Sequence, residues 1–429
     1  AAVNTLKLLR RPMESLLGWR PRYGNVFTVR YLTFGTGVYV AEPDAVRSLM
    51  TGDQSDLHAG EANSPLSPVV GNHSVLVLDG PEHMRQRKLL LPPFQGSAVH
   101  SFREVINEVA EAEIARWQPG RELRMRSRMR ALTFEVICRA VFGVSERGPV
   151  EELRSALAPI LDGGTLSAFL PAPLRRNFGG FGPWAKLQRL LARADGLLYA
   201  EIARRREAAD LEERTDVLSL LLRARDEDGR PMSDVELRDE LITMLAAGHE
   251  TTATGLAFAF DLLLHNPDVL ERLREELATG DDSYLDAVVT ETLRIRPVID
   301  AAERTLTKPR EVAGYELPAG IRVYPAIGLL HWREDLYPEP QRFRPERFLE
   351  EGVESYSWLP FGGGIRRCIG AALAQAEMAE VLRVVLSNVE LEPLRDELDP
   401  VVIRGITMVP KHGTPVRVAA RRTAALAAA

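Results

Sequence analysis

The sequence has few cysteines, no long apolar run and no excess of positive charge. Its two cysteines, Cys138 and Cys368, are too few for a disulfide framework and form no Cys-x-x-Cys zinc spacing. No stretch approaches the roughly 20 continuous apolar residues of a membrane-spanning helix. The charged opening from Leu6 to Pro12 is expected to be neither a signal peptide nor an anchor. The net charge of -6 gives no reason to expect a nucleic-acid partner, and together these absences favour a soluble protein.

Of the 429 residues, 45% are hydrophobic and 27% are charged, which is typical of a globular protein with a large core. Length alone allows two or three domains. The apolar periodicity predicts helices over most of the chain and strands in two places. The predicted elements in chain order are strands at 26–32 and 37–41, a helix at 43–50, a long loop at 52–78, helices between 82 and 225, a long helix at 233–265, and strands and turns after residue 297.

An arginine-rich segment at residues 121–130 alternates basic and other side chains with a period of two. This period predicts a strand with one solvated face. The alternative is that its positive charge guides an acidic redox partner.

One cysteine lies in a glycine-rich loop at residues 361–370, directly before the helical run that begins at Ala371. A sulfur at a helix N-terminus is favoured as thiolate, and Arg366 adds positive charge beside it. A lone thiolate in such a loop suits an axial ligand to haem iron. The alternatives are a phosphate loop or an ordinary glycine-rich turn. A dinucleotide fingerprint is disfavoured because Arg367 stands where its third glycine is required.

The loop resembles the haem-binding signature of the cytochrome P-450 family, Phe-x-x-Gly-x-Arg-x-Cys-x-Gly, and the resemblance covers about residues 23–418. It implies a mainly α fold with small sheet regions and one domain over residues 1–429, in a soluble, cytoplasmic protein of the bacterial type. The domain would have β-rich parts at 22–62 and 297–330, a central helix at 233–265, and the cysteine loop with its helix at 360–390. The cofactor would be heme b (iron protoporphyrin IX) with Cys368 as the metal ligand. The expected haem contacts in this loop are Phe361, Gly362, Gly364, Arg366 and Gly370.

The long helix at 233–265 begins at a capping-box spelling, Ser233 with Glu236, and ends before Pro267. Its middle reads Ala-Ala-Gly-His-Glu-Thr-Thr at 246–252, which is unusual for a buried helix because glycine costs about 1 kcal/mol there. Small residues here serve either close helix packing or the approach of a flat cofactor.

The same run resembles the family's Ala-Gly-x-Glu/Asp-Thr motif, which favours the second account. The resemblance implies that Ala247 and Gly248 lie against the haem. Glu250 would relay protons and Thr251 would hold bound dioxygen by hydrogen bonds, so these two are the expected catalytic residues. His249 is interpreted as a helix-surface or packing residue and not as a ligand.

Two further motifs match the family. Glu291-x-x-Arg294 with Arg347 is expected to be a buried structural group that holds the cysteine loop. The helix after Asp79 resembles the family's propionate-binding helix, and the expected propionate partners are His83, Arg87, Arg304 and Arg366. The alternative is that the basic side chains of this helix simply face solvent.

Substrate contacts are expected by analogy of position at Ala246, Val298, Ile299 and Ile406, with Thr407 and the loop at 62–78. These residues are mostly small or apolar, which favours a hydrophobic substrate, although any core looks similar. The linker at 171–184 corresponds to a movable lid in the family. The alternative is a loop pinned by buried aromatic side chains.

The resemblance implies a haem-thiolate monooxygenase that inserts one atom of dioxygen into a hydrophobic organic substrate by C–H hydroxylation or epoxidation. No flavin or iron–sulfur domain is visible in the sequence, so electrons are expected from a separate ferredoxin and ferredoxin reductase. The alternatives are a peroxygenase that uses peroxide and a non-catalytic haem protein that senses a gas or holds a ligand. The Glu250–Thr251 pair disfavours the peroxygenase because it serves the dioxygen pathway.

Overall fold

The computed structural model describes residues 1–32, 35–143, 147–160, 175, 181–350 and 356–422. The chain is mainly helical with small sheets, as the resemblance implies. Its helices are α1 (Ala2–Arg10), α2 (Pro12–Tyr23), α3 (Pro43–Thr51), α4 (Ala59–Asn63), α5 (Ser67–Val70), α6 (Gly80–Leu90), α7 (Ser97–Ile114), α8 (Met125–Phe142), α9 (Arg147–Pro159), α10 (Pro183–Arg206), α11 (Val217–Arg223), α12 (Asp234–Leu264), α13 (Pro267–Thr279), α14 (Ser283–Ile295), α15 (Ile327–His331), α16 (Arg347–Glu350) and α17 (Ala371–Asn388).

The strands are short. They are β1 (Val26–Tyr31), β2 (Gly35–Val40), β3 (Leu57–His58), β4 (Glu122–Arg124), β5 (Arg304–Leu306), β6 (Arg310–Val312), β7 (Tyr315–Leu317), β8 (Arg322–Pro325), β9 (Val389–Pro393), β10 (Val401–Arg404), β11 (Thr407–Pro410) and β12 (Pro415–Arg421). In the part of the chain that is described, no helix combines the length and the apolar character needed to cross a bilayer.

The chain divides into two compact units. The first unit comprises residues 1–52, 103–133 and 250–429, and the second comprises 53–102 and 134–249. Helix α12 contributes its first half to the second unit and its second half to the first. A single domain over the whole chain stays a prediction.

The first unit contains most of the strands. The predicted strand pair is confirmed: β1 and β2 are antiparallel, with Val26 opposite Val40. Strand β8 lies parallel to β2 and antiparallel to β5. Strand β12 lies between β4 and β9, and β10 pairs with β11. The aromatic core of the larger sheet is a stack in which the Tyr39 ring lies 5.6 Å from Phe27 and 4.9 Å from Tyr324.

The long helix α12 is confirmed within one residue at each end. The backbone N–H of Ser233 donates to Glu236 Oε2 at 2.7 Å, and the N–H of Glu236 donates to Ser233 Oγ at 3.2 Å. This reciprocal pair satisfies amides that the first turn leaves without a helical partner. The start of the helix is therefore fixed by its own local sequence.

The strand predicted at residues 121–130 is wrong beyond Arg124. Only Glu122–Arg124 are extended, and α8 begins at Met125. The apolar residues Met125, Met129 and Leu132 recur with helical spacing and are buried. Because this longer apolar stripe buries one face of a helix, it outweighs the short alternation of arginines.

The long loop predicted at 52–78 is also wrong in part, because it contains β3, α4, α5 and a 3-10 turn at Ser64–Leu66. Helix α4 is capped from a distance: both carboxylate oxygens of Asp79 accept a hydrogen bond at 2.8 Å, one from Gly60 N–H and one from Glu61 N–H. A cap 18 or 19 positions away leaves no local signal. The predicted lid at 171–184 lies outside the described residues except for 175 and 181–184.

Candidate functional site

The glycine-rich loop presents Cys368 at the surface of the first unit, three residues before α17 begins. The Cys368 N–H donates to Phe361 O at 2.9 Å, and the Arg367 N–H donates to Gly364 O at 3.1 Å. These bonds close the loop around a short turn and leave the thiol exposed ahead of a helix N-terminus. The helix dipole favours a thiolate there. The other cysteine, Cys138, is buried in α8, and burial raises the pKa of its thiol well above the usual range.

Glycine is required in this loop by close approach. Gly364 has φ +60, and a Cβ at this position would collide with the carbonyl oxygen of Met50 at the end of α3. Gly362 also has a positive φ of +66. Arg304 reaches the same place, since its Nη2 lies 3.9 Å from Met50 Sδ and its Nη1 donates to Glu303 O at 2.8 Å. The structure therefore brings Arg304 and the cysteine loop to one residue, Met50.

The predicted structural group forms in the first unit. Arg294 donates hydrogen bonds to both carboxylate oxygens of Glu291, from Nε to Oε2 at 2.6 Å and from Nη2 to Oε1 at 2.8 Å. Arg347 Nε donates to Glu291 Oε1 at 3.2 Å. All three side chains are buried. Arg294 also donates to the carbonyl oxygens of His331 and Pro340, at 2.8 and 2.9 Å. A buried carboxylate with two guanidinium groups holds its neighbours rigidly because separating them would leave charges unpaired.

His331 extends this group toward the cysteine loop, and no sequence motif indicated it. Its Nε2 accepts the Leu359 N–H at 2.8 Å, so the ring proton is on Nδ1, which donates to Arg294 O at 3.1 Å. Burial and the nearby Arg294 charge lower the pKa of this imidazole to about 3. A neutral histidine thus connects the Arg294 backbone to the residue two positions before Phe361.

Glu250 is held by two arginines from the segment for which the sequence pattern predicts a solvated strand. Arg126 Nη2 pairs with Glu250 Oε1, and Arg130 Nε lies 2.6 Å from Glu250 Oε2. The two arginines are four residues apart on α8 and therefore share one helix face. Thr251, the next residue of α12, is half-buried. The i, i+4 spacing of Arg126 and Arg130 was the sequence signal that could have identified these two ion pairs with Glu250.

In the second unit, the middle of α12 combines packing with an exposed face. A Cβ on Gly248 would lie 3.1 Å from the Ile137 side chain, so close helix packing accounts for this glycine. His249 is buried edge-on against Phe134 at 5.5 Å, which confirms its packing role. Ala247 is exposed although Leu245 is fully buried. The exposed small residue fits a flat group such as a porphyrin, and the haem contacts of Ala247 and Gly248 stay predictions.

The remaining predicted site residues are distributed over both units. His83 and Arg87 lie one turn apart on α6 in the second unit, where His83 is buried and Arg87 half-buried. In the first unit, Val298 is buried and its carbonyl accepts the Met408 N–H at 2.8 Å. This bond brings the segment after Pro297 beside the β10–β11 hairpin. Ile406, at its turn, is 52% exposed.

The sequence and the structure are similar to those of known proteins. The sequence matches the Cytochrome P450 family over residues 3–415. Cytochrome P450 135B1 of Mycobacterium tuberculosis is 43% identical over 430 residues, which covers 98% of this chain and 90% of that protein. Cytochrome P450 137 of the same organism is 38% identical over 396 residues, covering 92% and 83%. The structure of retinoic acid bound cyanobacterial CYP120A1 is similar with a TM-score of 0.84, at 25% identity and with 98% and 96% covered. The chain therefore belongs to the cytochrome P450 family.

Proposed function

We propose that this P450 inserts one atom of dioxygen into a hydrophobic organic substrate by C–H hydroxylation or epoxidation. Electrons would come from a separate ferredoxin and ferredoxin reductase. The observation that carries the proposal is the exposed Cys368 thiol on a closed loop ahead of α17. Membership of the P450 family gives the general reaction class, a haem-thiolate monooxygenase.

Heme b is the proposed cofactor, and when bound it supplies the activation of dioxygen that side chains cannot perform. Cys368 is the proposed axial ligand because it is the exposed one of the two cysteines. Its position before a helix N-terminus keeps it available as a thiolate. The proposed haem contacts are Phe361, Gly362, Gly364, Arg366, Gly370 and Arg304 in the first unit, and His83, Arg87, Ala247 and Gly248 in the second.

Glu250 and Thr251 are proposed to manage protons and bound dioxygen. Both carboxylate oxygens of Glu250 are engaged by guanidinium groups of Arg126 and Arg130. The carboxylate must therefore release one of them before it can accept a proton and pass it on. The Thr251 hydroxyl can donate and accept a hydrogen bond, which suits it to hold dioxygen and a water.

The substrate is proposed to be hydrophobic because the candidate contact residues, Ala246, Val298, Ile299 and Ile406, are apolar. The bond between Met408 N–H and Val298 O supports a shared wall, since it brings two of the candidate segments together. CYP120A1 holds retinoic acid, a largely apolar molecule. The peroxygenase alternative is disfavoured by the intact Glu250–Thr251 pair.

Two experiments test the proposal. The first is the carbon monoxide spectrum of the reduced protein, which reports thiolate ligation. Cys368→Ala should abolish this spectrum, and a retained spectrum would contradict the assignment of Cys368 as the ligand.

The second experiment is turnover with dioxygen and reduced ferredoxin. Thr251→Ala should consume electrons with less product, whereas the same change at the adjacent buried Thr252 should leave the ratio unchanged. Activity with peroxide but not with dioxygen would favour the peroxygenase.

A further inference from the structure

One tyrosine near the glycine-rich loop has a backbone conformation that tyrosine rarely adopts. Tyr356 has φ +69, which lies in the left-handed region that favours glycine and is strained for a bulky side chain. A bulky residue keeps such a conformation only where its surroundings hold it, and such positions are concentrated at functional sites. The strain at Tyr356 therefore raises the question of what its side chain does.

The ring of Tyr356 lies against the glycine-rich loop. A Cβ on Gly363 would lie 3.0 Å from Tyr356 Cε1 and 3.3 Å from Met50 Cβ, and Gly363 is buried. At the next residue, Gly364, a Cβ would collide with the carbonyl oxygen of Met50. The loop backbone thus rests on two neighbours, which are the last turn of α3 and the Tyr356 ring.

Helix α3 also contacts the ring itself. The Arg47 guanidinium carbon lies 5.5 Å from the centroid of the Tyr356 ring, which is a cation–π contact. Arg47 and Met50 are three residues apart, so they lie on one face of α3. The same face of α3 therefore contacts both the loop and the ring that lies against the loop.

The backbone that follows Tyr356 is attached to two helices. Trp358 Nε1 donates to Thr290 O at 3.1 Å, and the Leu359 N–H donates to His331 Nε2 at 2.8 Å. The two acceptors belong to α14 and α15. The Tyr356 ring thus extends from a fixed backbone to the glycine-rich loop.

A movement of the loop would reach the cysteine through the hydrogen bonds that close the loop. Gly364 O accepts the Arg367 N–H at 3.1 Å, and Phe361 O accepts the Cys368 N–H at 2.9 Å. The two donors are adjacent residues, so the position of the sulfur follows the position of the acceptors. The consecutive glycines of the loop have no side chains with which to fix it. Support for the loop must therefore come from its neighbours.

We propose that Tyr356 is a positioning residue that holds the glycine-rich loop in place and thereby keeps the Cys368 sulfur aligned as an axial ligand. The inference rests on the proposed function, because it requires Cys368 to be the ligand. The left-handed backbone of Tyr356 and its contact with Arg47 both place the ring on Gly363. Removal of the ring should therefore weaken thiolate ligation before it affects the rest of the fold.

The test measures how readily thiolate ligation is lost as urea is added to the haem-loaded protein. The carbon monoxide spectrum of the reduced protein reports ligation, and far-ultraviolet circular dichroism reports helix content. In Tyr356→Ala the ratio of unligated to ligated protein at low urea should rise about tenfold, with helix content unchanged. Tyr356→Phe keeps the ring and should match the wild type. Arg47→Gln should raise the ratio about two- to fivefold, the effect of one exposed cation–π contact.

A glycine variant separates the ring from the strain. Tyr356→Gly relieves the backbone strain, which by itself stabilises a protein, but it also removes the ring. It should nevertheless lose ligation more readily than the wild type. Tyr315→Ala is the matched control, because Tyr315 is an exposed tyrosine of β7, and it should behave as the wild type.

The outcomes that contradict the proposal are distinct from those that contradict the proposed function. Ligation as stable in Tyr356→Gly as in the wild type, or lost together with helix content, would overturn the role of Tyr356. The second result would show a merely structural residue. Absence of the thiolate spectrum in the wild type would contradict the proposed function, and this inference with it.

Discussion

Mild acid should destabilise this protein through His331. The imidazole is fully buried and its two nitrogens are both used, one accepting the Leu359 N–H and one donating to Arg294 O. A second ring proton would remove the acceptor and add a positive charge beside Arg294. Burial, and after it the nearby charge of Arg294, lower the pKa of His331 to about 3 in the folded protein, compared with 6.5 for an ordinary histidine.

The size and sign of the effect follow from these two pKa values. The unfolded chain protonates His331 as the pH falls below 6.5, but the folded protein does not until about pH 3. The unfolded state therefore binds the extra proton, and the free energy of unfolding falls as the pH falls. Between pH 7 and pH 5 this linkage removes about 2 kcal/mol, a large part of a total stability of about 5–15 kcal/mol.

The measurement is urea unfolding of the haem-loaded protein at pH 7 and pH 5. The wild type should lose about 2 kcal/mol more than His331→Gln, which has no ring to protonate. His100→Gln, an exposed histidine replaced in the same way, should behave as the wild type. Equal losses in the wild type and His331→Gln would refute the reasoning. A titration of the His331 ring between pH 8 and pH 5, seen by nuclear magnetic resonance, would refute it independently.

Three further outcomes are expected. Glu291→Ala should lower the free energy of unfolding, measured with urea, by about 3–5 kcal/mol because two buried guanidinium groups lose their partner. A decrease as small as that of the exposed control Glu271→Ala would contradict this prediction. Arg130→Gln frees one oxygen of Glu250, so the solvent isotope effect on product formation should fall. An unchanged isotope effect would argue against a role of the Arg130–Glu250 ion pair in proton transfer. Burial raises the pKa of Glu240 well above its usual value, so the wild type should lose stability relative to Glu240→Gln as the pH rises above 4.5. Parallel pH profiles would exclude a neutral Glu240.

The elements that sequence predicted well are those with short-range causes. Helix α12 was placed within a residue because its capping box and Pro267 act on adjacent backbone groups. The cysteine loop was recognised from ten contiguous residues. The group of Glu291, Arg294 and Arg347 was identified because the resemblance supplied the distant third member, and the structure confirms its contacts.

The incorrect predictions concern elements whose causes lie in distant parts of the chain or in burial. The arginines at 124–130 alternate like a strand, yet burial of Met125 and Met129 makes most of the segment a helix. Helix α4 was assigned to a loop because its capping carboxylate, Asp79, lies 18 or 19 positions away. Local patterns cannot report such competition between burial and alternation, or a cap that arrives from another segment.

The sequence alone determined the family and indicated the candidate cysteine and acid–threonine pair, because each motif consists of a few adjacent residues whose chemistry is specific. Only the tertiary structure decided what holds them. Arg126 reaches Glu250 across 124 positions, and His331 reaches Leu359, beside the cysteine loop, across 28. Packing determines these partners. The chain has many arginines and amides that could form such bonds, and burial brings only one of them within hydrogen-bonding distance.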